Sequence, residues 1–231
     1  MYRDGEKRML LSKKSFLWLC VFAIFVVCVI PSKIVNADET KYNPDSITLY
    51  YLRDADKEQV GDIPADYPTQ YQIEVGNLPG TPRYGVIKGG AVTVSKSGLI
   101  TVSSTNEGKA VVRVVCDDYV QDINVEVVDY RKPYVDKMYD DIIAEIISAD
   151  MTEYEKLDAI CKWIANNTDY GTNSSHINLM INGSGSCVAS TNAILRMCKK
   201  AGIHAEGRSA VCDPGQLGTD HVNVIAFCDG E

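Results

Sequence analysis

The stretch INGSGSCVASTNAILRMCKKAGIHAEGRSA, from Ile181 to Ala210, decides the fold of this 231-residue chain. Two glycines precede Cys187, and apolar residues then recur at helical spacing as far as Ala201-Gly202, a common C-terminal helix signal. The stretch predicts a helix that begins at Cys187 and is approached through a flexible glycine turn. Ser186, just before the thiol, is expected to act as the N-cap.

A thiol in the first turn of a helix has a chemical consequence. Unpaired N–H groups and the positive end of the helix dipole favour the thiolate over the thiol. The same N–H groups can stabilise an oxyanion that forms beside the sulfur. Cys187 is therefore a candidate nucleophile, although buried structural cysteines also occur at helix starts.

A nucleophilic thiol needs a base, and the chain has three histidines. His176 lies in a polar loop before the Cys187 helix, and His204 follows that helix. His221 opens the apolar run HVNVIAF after a loop rich in Gly and Asp, and this run predicts a strand. A histidine at a strand end facing a cleft suits a base for a helix-start thiol, so His221 leads His204.

Two further helices are predicted upstream of the Cys187 helix. The first has an apolar stripe at helical spacing, made of Val135, Met138, Ile142, Ile143, Ile146 and Ile147. The second begins at Thr152 with Glu155 three residues later, a capping-box pattern. Its stripe is Leu157, Ile160, Cys161 and Ile164. Both stripes are interpreted as core.

Residues 45–128 have the pattern of an all-β segment. Pro, Gly and Asn clusters separate short β-branched runs, and the last two runs alternate with a period of two. Ala110, Val112, Val114 and Cys116 can face inward while Arg113 faces water, and Ile123, Val125 and Val127 share a face. About 85 residues of this kind predict a small β-sandwich.

The segment GGAVTVSKSGLITVSSTNEGKAVVRVVCDDYVQDINVEVVD, residues 89–129, resembles the C-terminal half of a bacterial Ig-like domain of the BIG2 type. In that family a strand leads through a Ser-Gly turn and a Gly-bearing loop into two long strands. The resemblance implies a spacer or adhesive module without chemistry of its own.

From about Thr152 to Glu231 the chain is similar to the transglutaminase-like superfamily, which shares the papain-like thiol-enzyme core. The motifs are the helix EKLDAICKWIANNTDY, Gly-x-Cys opening a helix, then AGI with a short strand, and HVNVIAFCDGE. The resemblance implies that Cys187 is the nucleophile and His221 its base. Their separation of 34 residues suits this family and is too short for papain itself.

Two features depart from the family pattern. Asn223 stands where an aromatic residue often follows the histidine. The acidic third member usually lies on the strand after the Asp-Gly turn, but Asp229-Gly230-Glu231 is that turn here, so no residue of this sequence matches it. Asp220 is a poor substitute, since neighbours on a strand point to opposite faces. The domain is therefore expected to be C-terminally incomplete.

The N-terminus is interpreted as a targeting segment. Five basic residues precede the apolar run of residues 16–30, which covers roughly 22 Å as a helix and is short for a bilayer core of about 30 Å. The pattern favours a secretory signal cleaved after Ala37, with an uncleaved signal anchor as the alternative.

The formal net charge is -8. Residues 38–231 carry 17 basic and 29 acidic side chains, about -12 in charge, and such an acidic body argues against nucleic acid or anionic membrane as a partner.

Six cysteines follow the targeting segment, and an even count in an exported protein invites a disulfide interpretation. Cys161 and Cys198 lie on predicted apolar helix faces, where a thiol behaves as a small hydrophobe. Cys187 and Cys198 are roughly 16 Å apart on one helix and cannot bridge each other. A Cys212–Cys228 bridge stays open. No Cys-x-x-Cys occurs, which argues against zinc.

The predicted organisation is multidomain: a signal peptide at residues 1–37, an all-β Ig-like sandwich at 38–129 and an α+β transglutaminase-like, papain-like cysteine enzyme core at 130–231. The expected function is exported acyl transfer on peptide or carboxamide bonds through a Cys187 thioester, with no metal or organic cofactor. The expected partners are peptides or proteins of the cell wall or cell surface, with no nucleic acid and with membrane contact only through residues 16–30 if uncleaved.

Three other classes of function stay open. A non-catalytic surface binding or adhesion protein with a degenerate thiol-enzyme domain fits the missing carboxylate. A cell-wall amidopeptidase of the NlpC/P60 kind would also pair Cys and His, but its cysteine is typically followed by Ser-Gly rather than Val188-Ala189. A structural disulfide or zinc module is the third.

Overall fold

The computed structural model describes residues 43–76, 80–103, 105–211, 215 and 221–230. The predicted signal segment lies outside the described residues. Over these ranges the chain has a mixed α/β fold of sheets and helices. No helix within them is long and apolar enough to cross a membrane.

The first part of the described chain consists mainly of strands. They are β1 (Ser46–Tyr51), β2 (Gln70–Gln72), β3 (Arg83–Lys88), β4 (Val92–Val94), β5 (Leu99–Val102), β6 (Gly108–Cys116) and β7 (Tyr119–Asp129), with the short helix α1 (Lys57–Val60) between β1 and β2. One sheet has the order β1-β7-β6-β3 and the other β2-β5-β4. β1 runs parallel to β7, whereas the other neighbouring pairs are antiparallel.

The two longest strands, β6 and β7, bury every second residue, as their sequence pattern predicts. Along β6 the buried positions are Ala110, Val112, Val114 and Cys116, and along β7 they are Ile123, Val125 and Val127. On the other face Arg113 donates two hydrogen bonds to Asp122 across the pair, at 2.6 and 2.8 Å. The buried face contributes to one apolar core.

The second part of the described chain is mainly helical. Its elements are α2 (Arg131–Ile146), α3 (Glu153–Asn167), β8 (Asp169–Tyr170), α4 (His176–Asn182), β9 (Ser184–Gly185), α5 (Cys187–Ala201), β10 (His204–Ala210) and β11 (His221–Phe227). β8 and β9 form a short parallel pair, and β10 and β11 form an antiparallel pair. The helices predicted from apolar spacing are all present.

Local sequence signals set the ends of α3 and α5. The backbone N–H of Glu155 donates to the Thr152 hydroxyl and the Glu155 carboxylate accepts from the Thr152 backbone, so the predicted capping box is confirmed. Helix α5 begins at Cys187 and ends before Gly202, whose φ of 80° is in the left-handed region that glycine adopts without strain. Both boundaries agree with the sequence prediction.

Helix α5 lies at the centre of a second apolar core. Its residues Ala189, Ala193, Met197 and Cys198 are fully buried. They pack in one cluster with Tyr139 of α2, Ile160 of α3 and Leu179 of α4. Because α5 is anchored by helices and by the β10–β11 pair, its N-terminus is held rigidly.

Arg131, the first residue of α2, joins the two parts of the described chain. Its guanidinium donates to Asp129 at 2.6 Å and lies 3.4 Å from Asp56 and 3.5 Å from Asn178 of α4. Arg131 and Asp129 keep only 15% and 9% of their side-chain surface exposed. The backbone switch from strand to helix therefore coincides with a largely buried ion pair.

Candidate active site

The turn before Cys187 is tightly packed rather than flexible. A Cβ on Gly185 would lie 2.7 Å from Cβ of Ala189 and 3.0 Å from Cδ1 of Leu179. Gly183 ends α4 with a φ of 72°. The expectation of a flexible glycine approach was therefore wrong: one glycine is needed for close packing and the other for a left-handed helix end.

Ser186 is the N-cap residue of α5, but its hydroxyl does not cap the helix. The side chain makes no capping hydrogen bond, and Oγ is buried without a hydrogen-bond partner among the described residues. The Ser186 backbone N–H donates to Asn173 O at 2.8 Å. The predicted side-chain cap is corrected accordingly: backbone pairing with the preceding loop holds this turn.

Cys187 is half-buried and carries a free thiol at the first position of α5. The first intrahelical bond runs from the Ser190 N–H to Ser186 O. The N–H groups of Cys187, Val188 and Ala189 come before that bond, so none of them has an intrahelical acceptor. Thiol and unpaired donors lie together at the positive end of the helix dipole.

The β10–β11 pair packs along α5 and runs back toward the N-terminus of that helix. The Ile203 N–H bonds Cys198 O at the C-terminal end of α5, where β10 begins. A Cβ on Gly207, in the middle of β10, would lie 3.7 Å from Cγ2 of Thr191. β11 is antiparallel to β10 and pairs His221 with Ala210. The first residues of β11 therefore lie toward the N-terminal half of α5.

Thr191 fixes this arrangement with a hydrogen bond that the sequence pattern does not predict. Its hydroxyl donates to the carbonyl of Val222, next to His221, at 3.2 Å. Thr191 is one helical turn after Cys187, about 6 Å along the axis. The sequence places Thr191 four residues after Cys187, about one helical turn away. It does not show which group the threonine hydroxyl would bind.

His221 is half-buried at the start of β11. Along this strand Ala226 packs on the helical core, whereas Ile225 and Phe227 are exposed. Alternation puts His221 on the same side as Asn223, which accepts a hydrogen bond from Arg208 at 3.2 Å. His221 and Ala226 thus lie on opposite faces of β11. The pairing of Cys187 with His221 stays a prediction.

The other two histidines occupy different environments. His204 stacks on Phe227, with ring centroids 5.0 Å apart, at the C-terminal end of α5. His176 lies 3.1 Å from the Tyr139 hydroxyl, and burial, followed by the charge of Arg196, lowers the pKa of His176 to about 4. His204 is thus at the wrong end of α5, and His176 is too weak a base at neutral pH.

The remaining thiols differ from one another in exposure. Cys198 is fully buried, and burial raises its pKa to about 11. Cys161 is exposed, so its predicted place on a buried stripe was wrong, although desolvation and Asp158 still raise the pKa of its thiol. Cys228 is a free thiol, and Cys212, its predicted alternative partner, lies outside the described residues.

The predicted Asp-Gly turn is present after β11. Asp229 and Gly230 both have positive φ, 55° and 87°. The Asp229 carboxylate accepts from the backbone N–H of Glu153 at 3.1 Å and of Tyr154 at 3.4 Å, at the start of α3. The Asp229 carboxylate therefore binds the N-terminus of α3. Asp220 lies outside the described residues.

Within the described ranges no cluster of three or more His, Cys, Asp or Glu side chains could hold a metal ion.

Residues 140–222 match the family model of the transglutaminase-like superfamily. The match includes Cys187, His221 and the whole of α5, so the predicted resemblance is confirmed over these residues. No curated protein sequence matches the chain. The matched residues do not include 89–129, so the resemblance of that segment to a bacterial Ig-like domain stays a prediction.

Two solved structures are similar to this chain. One is a putative cysteine protease from Cytophaga hutchinsonii, with 15% identity over 70% of this chain and 67% of that one, at a TM-score of 0.34. The other is a putative protease from Parabacteroides distasonis, with 16% identity, 64% and 36% coverage, and a TM-score of 0.30. At these TM-scores neither is evidence for a shared fold. The chain spans about a third of the second protein.

Proposed function

We propose that the domain is a transglutaminase-like thiol enzyme that transfers acyl groups from peptide or carboxamide bonds, with Cys187 as nucleophile and His221 as base. The observation that carries the proposal is that the start of β11 lies beside the N-terminal half of α5. The thiol opens α5, and Thr191 ties the first residues of β11 to that same half of the helix. A nucleophile and a base must meet in this way.

The reaction has two steps, acylation of Cys187 and release of the acyl group. His221 takes the thiol proton, and the Cys187 sulfur attacks the carbonyl carbon to form a C–S bond. The tetrahedral intermediate collapses, the C–N bond breaks, and the imidazolium gives its proton to the leaving amine, which leaves a thioester. Water or a second amine then attacks the thioester with His221 as base, the C–S bond breaks, and the imidazolium returns the proton to the Cys187 sulfur, which releases a carboxylic acid or a new amide.

The oxyanion of the intermediate has donors within the first turn of α5. The unpaired N–H groups beginning at Cys187 are adjacent to the sulfur and cannot bond within the helix. Donors fixed in this way stabilise negative charge where it develops and need no reorganisation.

An activated ester tests this proposal without a known substrate. A Cys187 thiolate should take the acetyl group from p-nitrophenyl acetate, and mass spectrometry of the digested protein should find it on the Cys187 peptide. Cys161 is exposed, but desolvation and Asp158 raise the pKa of its thiol, so the ratio of the Cys187 and Cys161 rates is also compared between the wild type and His221→Ala. Acetylation of Cys161 at an equal or greater rate would contradict the nucleophile assignment.

We also propose that the chain is exported and that its first part is an Ig-like spacer, which carries the enzyme domain toward cell-wall or surface proteins. The basic flank and short apolar run of residues 1–37 support export. Two sheets around one apolar core, with alternating β6 and β7, support the spacer. The alternative is a non-catalytic surface binding protein, which would keep the fold of the domain but would not form a thioester at Cys187.

A further inference from the structure

A cleft lies where α2, α4 and α5 meet. It has a volume of about 440 Å³ and is lined by residues of α2, α4 and α5, including Lys132, Asp136, Tyr139, His176 and Arg196. Arg196 comes nine residues after Cys187, which is about 13.5 Å along the axis and half a revolution around it. The cleft is therefore separate from the proposed thiol site.

The hydrogen bond between Tyr139 and His176 fixes which nitrogen of the histidine can serve a ligand. Tyr139 is 1% exposed, and burial raises the pKa of its hydroxyl, so the phenol keeps its proton. Among the described residues, the structure shows one hydrogen bond of that hydroxyl, to Nδ1 of His176 at 3.1 Å. With the Tyr139 hydroxyl donating to Nδ1, the single hydrogen of the neutral ring is on Nε2. The ring thus keeps one N–H donor for the cleft.

Within the part of the chain that the structure describes, the charges around the cleft leave one cation without an ion-pair partner. Lys132 bonds Glu107 at 2.6 Å, and Asp136 lies 3.1 Å from Lys200. Arg196 makes no ion pair with any residue that the structure describes, although its charge reaches both Tyr139 and His176. A planar guanidinium beside a fixed N–H donor is suited to an oxyanion.

We propose that this cleft binds the carboxylate or phosphate group of a small ligand, with Arg196 as the cation and His176 as a hydrogen-bond donor through Nε2. Its volume is within the range of about 300–1,000 Å³ typical of small-molecule sites. The buried Tyr139 hydroxyl holds the imidazole in place, so the donor does not have to be ordered when the ligand binds. This binding does not depend on the thiol chemistry.

Proton NMR of the His176 ring at pH 7 tests the proposal on the whole chain. Succinate and inorganic phosphate are titrated separately, with succinamide as the uncharged control. We expect a saturable shift of the His176 resonances with at least one anion and none with succinamide. The anion that binds more tightly shows whether the cleft prefers a carboxylate or a phosphate. A lack of saturation with both anions, or an equal response to succinamide, would overturn the proposal.

Two charge variants on one helix separate a specific site from general electrostatics. Arg196→Gln should weaken binding at least about tenfold, because a charge-assisted hydrogen bond is lost. Lys199→Gln removes the same charge from an exposed position of α5 outside the cleft and should leave the affinity unchanged. Arg196 is also exposed, so both variants should keep the wild-type melting temperature. Equal weakening by the two substitutions would contradict the site.

Discussion

Cys187 and Thr191 occupy successive turns of α5, and their side chains have separate tasks. The thiol is half-buried and free, whereas the Thr191 hydroxyl is bonded to the Val222 carbonyl. The proposed chemistry therefore depends on one reacting residue and one positioning residue. Substitution can separate the two, because only the first forms a bond with substrate.

Cys187→Ser should abolish acetylation by an activated ester while leaving stability nearly unchanged. A serine hydroxyl at a helix start is a weak nucleophile without the polarisable thiolate, but it is well tolerated near an N-terminus. Thermal melting and the rate of p-nitrophenol release measure the two effects. Cys161→Ser, at an exposed position of α3, is the control and should change neither.

Thr191→Val should lower both stability and the acetylation rate of Cys187. The substitution keeps the shape of the side chain but removes the donor to Val222 O, at a cost of about 1 kcal/mol. Thr191→Ser keeps the hydroxyl and should restore most of the rate. If Thr191→Val changed the melting temperature alone, Thr191 would be structural only and would not position His221.

At the scale of elements, the close packing at Gly185 before α5 can be tested by substitution. Gly185→Ala should destabilise the protein by about 1–3 kcal/mol, because the new methyl group would lie 2.7 Å from Cβ of Ala189. Gly85→Ala in β3 is the matched control, since a Cβ there meets no atom within 4 Å. Chemical denaturation measures both variants. An equal loss in the two would contradict the packing role of Gly185.

Helix and strand boundaries were predictable where the signals are local. The capping box at Thr152 and the glycine after Ala201 each act within a few residues, and the periods of the apolar residues distinguish helix from strand. The parallel pairing of β1 with β7 was not predictable, because it joins residues more than 70 positions apart. The exposure of Cys161 was also missed, because the edge of an apolar stripe depends on neighbouring elements.

The site was predictable in part for the same reason. Position at a helix start singled out Cys187, and position at a strand start singled out His221. The role of His176 could not be inferred, because Tyr139 and Arg196 approach it from other helices. The packed Gly185 and the unbonded Ser186 hydroxyl likewise depend on α4 and on the preceding loop.

At the scale of the whole molecule, Arg131 should couple the stability of the sheet part to that of the helical part. Arg131→Met leaves Asp129 largely buried without its cation, which should cost about 2 to 3 kcal/mol. Arg113→Met breaks an exposed Arg–Asp pair in β6 and should have little effect. Urea unfolding followed by circular dichroism, which reports on strands as well as helices, compares the two. Similar midpoints would show that the Arg131 pair contributes no more than an exposed one.

Export makes a prediction about the mature chain. If the segment up to Ala37 is a cleaved signal, protein recovered from the culture medium should begin at Asp38. N-terminal sequencing of the secreted protein measures this directly. Recovery of chains that begin at Met1 in the membrane fraction would instead support the signal-anchor alternative.

The pairing of Cys187 with His221 is tested most directly by the rate of alkylation at pH 6. Limiting iodoacetamide should label Cys187 before exposed Cys161, because a helix N-terminus and a nearby imidazolium favour the thiolate. His221→Ala should slow the labelling of Cys187 about tenfold, equivalent to about 1.4 kcal/mol, whereas His204→Ala should leave it unchanged. If Cys187 reacts no faster than Cys161, or if both histidine variants behave alike, Cys187 and His221 do not form a catalytic pair.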